Sequence, residues 1–210
     1  MQPLLSALNP TWEERFWSQV PVHFGNQEEE HRQLSDLGLC DLSFLPKLGV
    51  KGPLAENWLD EEGMATPDKV YQVAQSGLDP LVTRVDRNEF FLEDNLRGDR
   101  IQTLSEALGS GGPGTYRVNR QEASVLIGGH RAPLVLAQTC SYDFESAEEK
   151  LVMTRVAAVS CSVLPVHMGG TEGFRLWFNP AYGVYLWENL LAIVHDLGGS
   201  PVGIGCLLAE

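Results

Sequence analysis

The chain has 210 residues, 43% of them hydrophobic and 20% charged, with a formal net charge of -13. It is long enough to bury a sizeable core. The acidic balance argues against broad contact with phosphate backbones or anionic membranes, because the mean field repels both.

The N-terminus MQPLLSALNP lacks the basic and apolar regions of a secretory signal, and no apolar run reaches the roughly 18 residues of a membrane span. Cys40, Cys140, Cys161 and Cys206 show no C-x-x-C spacing, which argues against structural zinc. The expectation is a soluble protein of a reducing, cytoplasmic compartment with cysteines as small core residues.

Residues 1–36 read as an N-terminal arm. Thr11 and Glu14 form a T-x-x-E capping box, which predicts a short helix over Trp12 to Gln19 presenting Trp12, Phe16 and Val20. These aromatics need cover, either from the chain's own core or from another chain. GNQEEEHRQ reads as exposed loop.

The stretch DLSFLPKLGVKGPLAENWL, Asp41 to Leu59, is strand-like through Leu48 and Val50 and is broken by Gly52-Pro53. It then turns helical through Leu54, Ala55, Trp58 and Leu59. A long Gly/Pro-punctuated loop follows as far as Pro80, of a length often associated with function or interfaces. LVTRV and EFFLE around Asp86-Arg87-Asn88 predict a β-hairpin, and Ile101, Leu104 and Leu108 a helix over Arg100 to Leu108. GSGGPG, Gly109 to Gly114, reads as a flexible junction between two halves of a single domain spanning 37–210.

In the second half TYRV and ASVLIGG predict strands, Ala132 to Cys140 a helix, and ESAEEK an acidic connector. LVMTRVAAVSCSVLPVH predicts two strands with a turn near Ala157 to Ser160, and the loop MGGTEG leads into FRLWF. In FRLWF, Phe174, Leu176 and Phe178 make a core face, while Arg175 and Trp177 make a mixed one. Asn179 and Pro180 start a last helix with Tyr182, Leu186, Leu190, Ile193 and Leu197 on one stripe and Trp187, Leu191 and Val194 beside it. So wide an apolar face fits a helix wedged between sheet and helix, or one at a subunit contact. Gly198-Gly199 ends it, and PVGIGCLL reads as a closing strand.

No nucleotide-loop, zinc-protease or nucleophile-elbow motif is present, and the five histidines never fall four apart. Asp79 before Pro80, and Glu172 in GGTEGF, are acids in Gly/Pro-rich surroundings where a ligand could approach, although each is also an ordinary turn residue. Arg155, in mid-strand, is either solvent-facing or paired to an acid.

DLSFLPKLGVKGPLAENWL is similar to the DVSHMGKFEVSGPDAEAFL-type segment of the glycine-cleavage T-protein and its aminomethyltransferase relatives. GGTEGFRLWFNPAYGVYLWENLLAIVHDLGGSPVGIGCL resembles the same family's later segment, in the same order. Within that superfamily KLGVKGP, EFFLED, LVMTRVA and RLWFNPAYGVYLWE most resemble the gamma subunit of heterotetrameric sarcosine oxidase, and the related subunit of N-methylglutamate dehydrogenase. The resemblance covers about Leu37 to Leu208.

It implies an α+β fold like the folate-binding T-protein N-terminal region, with mostly antiparallel sheets and packed helices. It also implies partners: a large chain, a chain bearing FAD and FMN, and a small zinc chain, with tetrahydrofolate bound outside this chain. The T-protein's pterin-binding acid aligns with Thr171, leaving Glu172 displaced by one, and its paired acids become Asp79-Pro80. The T-protein also continues past the position of Glu210 into a further barrel domain, without which a folate pocket lacks one wall. The resemblance therefore implies a non-catalytic subunit of an oxidoreductase acting on CH-NH donors, with no catalytic residue, metal or cofactor of its own. The alternative is a folate-binding one-carbon transfer protein using Asp79 or Glu172.

Overall fold

The computed structural model describes residues 5–6, 8–144 and 150–208. The chain opens with β1 (Thr11–Arg15), β2 (Ser18–His23), α1 (Gln27–Leu37) and β3 (Gly38–Asp41). Next come β4 (Lys47–Lys51), α2 (Ala55–Glu61), β5 (Val73–Ala74), β6 (Leu81–Asp86), β7 (Glu89–Glu93), α3 (Arg100–Leu108), β8 (Gly111–Gly112) and β9 (Thr115–Val118). The remainder is β10 (Ala123–Gly128), α4 (Ala132–Thr139), β11 (Val152–Val156), β12 (Val159–Met168), β13 (Thr171–Phe178), a 3-10 turn (Pro180–Tyr182), α5 (Gly183–Asp196), β14 (Ser200–Pro201) and α6 (Gly205–Leu208).

These elements form two compact units. The first takes the chain up to Phe44, resumes at Glu122 and holds everything described from Val152 onward; the second is Leu45–Gln121 with Lys150 and Leu151. The division differs from the expected arm and single domain with halves meeting at Gly109 to Gly114. The chain crosses between units at Phe44/Leu45 and Gln121/Glu122, and Gly109 to Gly114 lies inside the second unit, where β8 and β9 pair as a tight hairpin.

In the first unit a six-stranded sheet runs β11-β12-β13-β10-β3-β14, antiparallel except for the short β14–β3 pair. Register sets Val125 opposite Leu176 and Ile127 opposite Phe174, so one sheet face gathers these side chains. That face shares a core with Val135 and Leu136 of α4 and with Leu186, Trp187, Leu190 and Val194 of α5. Trp187 is 1% exposed, and both apolar rows on this helix reach the core, one through Leu186 and Leu190 and the other through Trp187 and Val194. Tyr182, Val184 and Tyr185 stand exposed. The second face of β13 is buried too, Arg175 and Trp177 included, as a central strand covered on both sides requires.

The arm is part of this unit. Thr11 to His23 folds as an antiparallel hairpin rather than the expected helix, turning at Phe16-Trp17 with φ 47° and 63°. Those values are the primed-turn geometry that matches strand twist, and it wins over a four-residue capping signal. Trp12 packs on the core and Phe16 stacks on Phe44 at 6.1 Å, while Trp17 is 90% exposed at the tip.

The EEEH stretch, expected as loop, is helical. The Asn26 side chain accepts from the Glu28 and Glu29 N–H groups, and acids fill the first turn where the helix dipole favours them. Glu30, Leu34 and Leu37 share its buried face. PVGIGCLL pairs with β3 only at its start, where Val202 N donates to the Leu39 carbonyl, and then turns into α6, because its next N–H groups bond elsewhere: Gly203 to the Glu30 carboxylate and Ile204 to the Pro21 carbonyl. MGGTEG is the two-residue end of the β12–β13 hairpin rather than a loop. The expected ESAEEK connector falls on 145–150, of which 145–149 lie outside the described residues.

In the second unit an antiparallel sheet runs β5-β6-β7-β4-β9-β8. Leu48, Val50, Val82, Phe90 and Leu92 form its core face against Ala55 and Leu59 of α2 and Ile101, Leu104 and Leu108 of α3. Gly52, at φ 128°, makes the break after β4; a Cβ there would meet the Gly114 carbonyl oxygen at 2.3 Å, so only glycine fits. The long loop before β6 is anchored by buried Arg84, whose Nε donates to the Pro67 carbonyl at 2.6 Å, whose Nη1 donates to that of Arg87 at 3.0 Å, and whose Nη2 pairs with Glu56.

Candidate functional site

The two candidate acids lie in different units. Asp79 occupies a bend closed by its own N–H to the Ser76 carbonyl at 2.9 Å, and its carbonyl accepts from Gln75 Nε2 at 3.2 Å. Glu172 is exposed on β13, opposite His167 of β12, so a strand holds it and not the expected loop. Its carbonyl accepts from Gly129 N at 2.8 Å. Among the described residues no group of three or more His, Cys, Asp or Glu is placed to hold a metal ion.

A polar cluster that sequence reasoning did not single out sits at the end of β3. Asp41 Oδ1 accepts from Ser43 N at 2.9 Å, and Ser124 N donates to Ser43 Oγ at 3.0 Å. Ser124 Oγ donates to the Leu42 carbonyl at 2.9 Å and accepts from Arg175 Nη2 at 3.1 Å. The Arg175 guanidinium lies 5.7 Å from the Trp177 ring centroid. Burial pushes the Asp41 carboxyl up, opposed by the Ser43 hydrogen bonds and more weakly by the Arg175 charge. Burial also pushes the neighbouring Cys40 thiol well up, reinforced by Cys206 and Asp41. The cluster joins β3, β10 and β13 through their side chains. Its only sequence signal was an arginine on an aromatic-rich strand; Ser43 and Ser124 carry none. Arg155 is on the exposed side of β11.

The second unit carries its charges on the sheet. Lys47 and Glu93, directly paired in register, form an ion pair of 3.1 Å with side chains 3% and 4% exposed. Lys47 Nζ also donates to the Leu45 carbonyl at 2.8 Å. Glu89 accepts from Lys51 Nζ at 2.9 Å and from Arg120 Nη2 at 2.5 Å, and the Arg120 guanidinium lies 5.8 Å from the Phe91 ring centroid. Asp94 accepts from the Ile101 and Asn95 N–H groups, holding the chain that leads into α3; burial raises its pKa. Beside β4 and the end of β9 lies a cavity of about 220 Å³ bounded by Lys47 and Leu48 on one side and by residues 117–121 on the other. Among the described residues no helix is long and apolar enough to cross a membrane.

A model of the GCVT N-terminal domain matches residues 2–209. The aminomethyltransferase of Streptomyces coelicolor is 25% identical over 204 residues, covering 89% of this chain and 54% of the relative. That of Alkaliphilus metalliredigens is 24% identical over 203 residues, covering 89% and 55%. The chain thus spans about half the length of the curated relatives it matches. Glycine cleavage system aminomethyltransferase T from Bartonella henselae superposes with a TM-score of 0.76 at 17% identity, over 97% of this chain and 58% of that one. A chain of the heterotetrameric sarcosine oxidase from Corynebacterium sp. U-96 superposes with a TM-score of 0.63 at 17% identity, over 84% of this chain and 94% of that one. These likenesses are of fold. The chain belongs to the GCVT N-terminal domain family and has its aminomethyltransferase-like α+β fold of mostly antiparallel sheets with packed helices.

Proposed function

We propose that this chain is a non-catalytic, gamma-type subunit of a multisubunit flavin-dependent oxidase or dehydrogenase of N-methyl amines such as sarcosine or N-methylglutamate. The observation that carries the reading is the fold match over 94% of a chain of heterotetrameric sarcosine oxidase. Two features of the molecule support it. The Asp79 backbone closes a bend and Glu172 lies at an exposed position of β13, the settings of an ordinary turn residue and an ordinary surface residue. Exposed Trp17, Tyr182 and Tyr185 belong to the residue types that anchor protein interfaces.

In such a complex the N-methyl amine is oxidised to an imine at a partner chain's flavin. The methyl carbon then passes to tetrahydrofolate or leaves as formaldehyde. FAD, FMN, tetrahydrofolate and zinc all belong to the partner chains in this reading, and this chain contributes surface.

The test is purification of the tagged chain from its native cells. Co-elution with larger chains and a flavin absorption spectrum is expected. A monomer that brings no flavoprotein refutes the proposal, and saturable binding of tetrahydrofolate by that monomer would favour the one-carbon transfer alternative.

A further inference from the structure

The structure assigns a peroxide-sensitive disulfide catch to Cys140 and Cys161, where the end of α4 meets the β11–β12 hairpin; this inference stands independently of the assembly reading. The end of α4 is tied to the turn of that hairpin by the Thr139 carbonyl, which accepts from Ala157 N at 2.9 Å. The next residue, Cys140, reaches β11, its sulfur lying 3.4 Å from Thr154 Oγ1. Thr154 is paired in register with Cys161 of β12, and residues directly opposite in an antiparallel pair share a face with Cβ atoms about 5 Å apart. Thr154 is thus the common neighbour of both cysteines. Cys161 belongs to the same core cluster that Cys140 packs against.

A disulfide needs Cβ atoms about 4 Å apart. Cys140 follows the last helical residue in extended backbone, at φ -135° and ψ 140°, so its side chain can swing from Thr154 toward Cys161 without unwinding α4. The bridge would join α4 to β12 across β11 and restrict the unfolded chain between them, which makes the oxidised form the more stable one.

The two thiols differ in access, which orders the chemistry. Cys140 is half-buried, whereas Cys161 is buried and its thiol is pushed up to about 12. A small oxidant therefore meets Cys140 first. Hydrogen peroxide converts the Cys140 thiol to a sulfenic acid and leaves as one water. The Cys161 sulfur then bonds to the Cys140 sulfur, and its proton departs with the sulfenic hydroxyl as a second water. In all, two thiols give up two electrons and one peroxide is reduced to two waters. Cys40 and Cys206 also lie near one another, since Cys206 reinforces the rise of the Cys40 thiol. Both are buried, so that pair has no member open to the oxidant and stays reduced.

The test is oxidation of the reduced full chain with a small excess of hydrogen peroxide at neutral pH, then alkylation under denaturing conditions and peptide mass mapping. Two alkylatable thiols are expected in place of four, with a peptide linked through Cys140 and Cys161. The thermal midpoint should rise by several degrees, and dithiothreitol should reverse both changes. Cys161→Ala should stop the reaction at a Cys140 sulfenic acid that dimedone traps, and Cys140→Ser should form no bridge. Three or four alkylatable thiols after oxidation of the parent overturn the assignment. So does a bridge that uses Cys40 or Cys206 or joins two chains, or a bridged chain whose midpoint is unchanged.

Discussion

Replacing Glu30 should loosen the first unit more than its place in an acidic run suggests. Its carboxylate is buried and accepts three backbone N–H groups: Phe24 at 2.6 Å and Gly25 at 2.8 Å on Oε1, and Gly203 at 2.7 Å on Oε2. It thereby ties the β2–α1 junction to the segment before α6. In Glu30→Gln the shape is kept, but only one oxygen remains. If it keeps Phe24 and Gly25, the new NH2 faces the Gly203 N–H, donor against donor. Losing one hydrogen bond to a charged acceptor costs about 1.5–3 kcal/mol, so about 2–3 kcal/mol is expected for Gln. Ala, which strands all three donors, should cost about 4 kcal/mol or more, short of full additivity because water enters. Urea unfolding reads this as a midpoint lowered by about 1 M for Gln at an m of about 2 kcal/mol/M. A Gln variant within about 0.5 kcal/mol of the parent, the scatter of ordinary surface substitutions, would refute the buried-clamp account.

Four further outcomes are expected. Ala157 and Ala158 turn the β11–β12 hairpin at φ 45° and 67°, so A157N with A158G should gain about 1 kcal/mol by relieving left-handed strain, measured by the same urea midpoint. Gly129 sits at φ 106° with the Asp36 carbonyl oxygen 2.3 Å from any added Cβ; Gly129→Ala should lower the thermal midpoint by several degrees, and an unchanged midpoint would contradict the packing described. Burial pushes the Cys161 and Cys206 thiols up to about 12 and raises Cys40 as well, whereas Cys140 is only half-buried; a disulfide reagent at neutral pH should therefore titrate one thiol quickly and the other three only on unfolding. Burial holds the folded Asp41 pKa above its ordinary value of 3.8, so the folded state holds more protons there and stability falls as pH rises from about 4 through the folded pKa. Asp41→Asn should flatten that slope, leaving the part due to Asp94, which burial raises in the same sense.

Where a local signal is complete, the sequence was readable. Gly52-Pro53 places β4 and α2 correctly, and Arg100–Leu108 is helical over the span its apolar stripe predicts. Asn179 caps the turn at Pro180 by accepting from Ala181 N at 2.9 Å, and Gly198 and Gly199 close α5 on the His195 and Val194 carbonyls. The misreadings fall where distant residues supply the deciding interaction. Thr11-x-x-Glu14 offers a helix cap, but pairing of Glu13 with Val20 and Glu14 with Gln19 makes a hairpin. The glutamates after Asn26 look solvated until Gly203, 173 residues away, is seen to donate to one of them. Of the candidate acids, Asp79 is in the bend that Gly77 and Pro80 announce, whereas Glu172 is strand because Gly169-Gly170 alone makes the turn. The Asp41–Ser43–Ser124–Arg175 cluster had no spacing to betray it, since three separate strands deliver it.

By itself the sequence determined most of the individual strands, turns and helices, because strand alternation, glycine turns and helix stripes are short-range requirements written over a few residues each, while the fold class and family were implied by the resemblance of its DLSFLPKLGVKGPLAENWL and GGTEGFRLWF segments. Only the tertiary structure decided that the chain leaves the first unit at Phe44 and returns at Glu122, that Glu30 and Arg175 are buried rather than solvated, and that Lys47 and Arg120 line one cavity. Those are long-range facts. A charged residue is written identically whether it faces water or a buried partner, and the free energy that distinguishes the two cases arises only when strands far apart in sequence close around it.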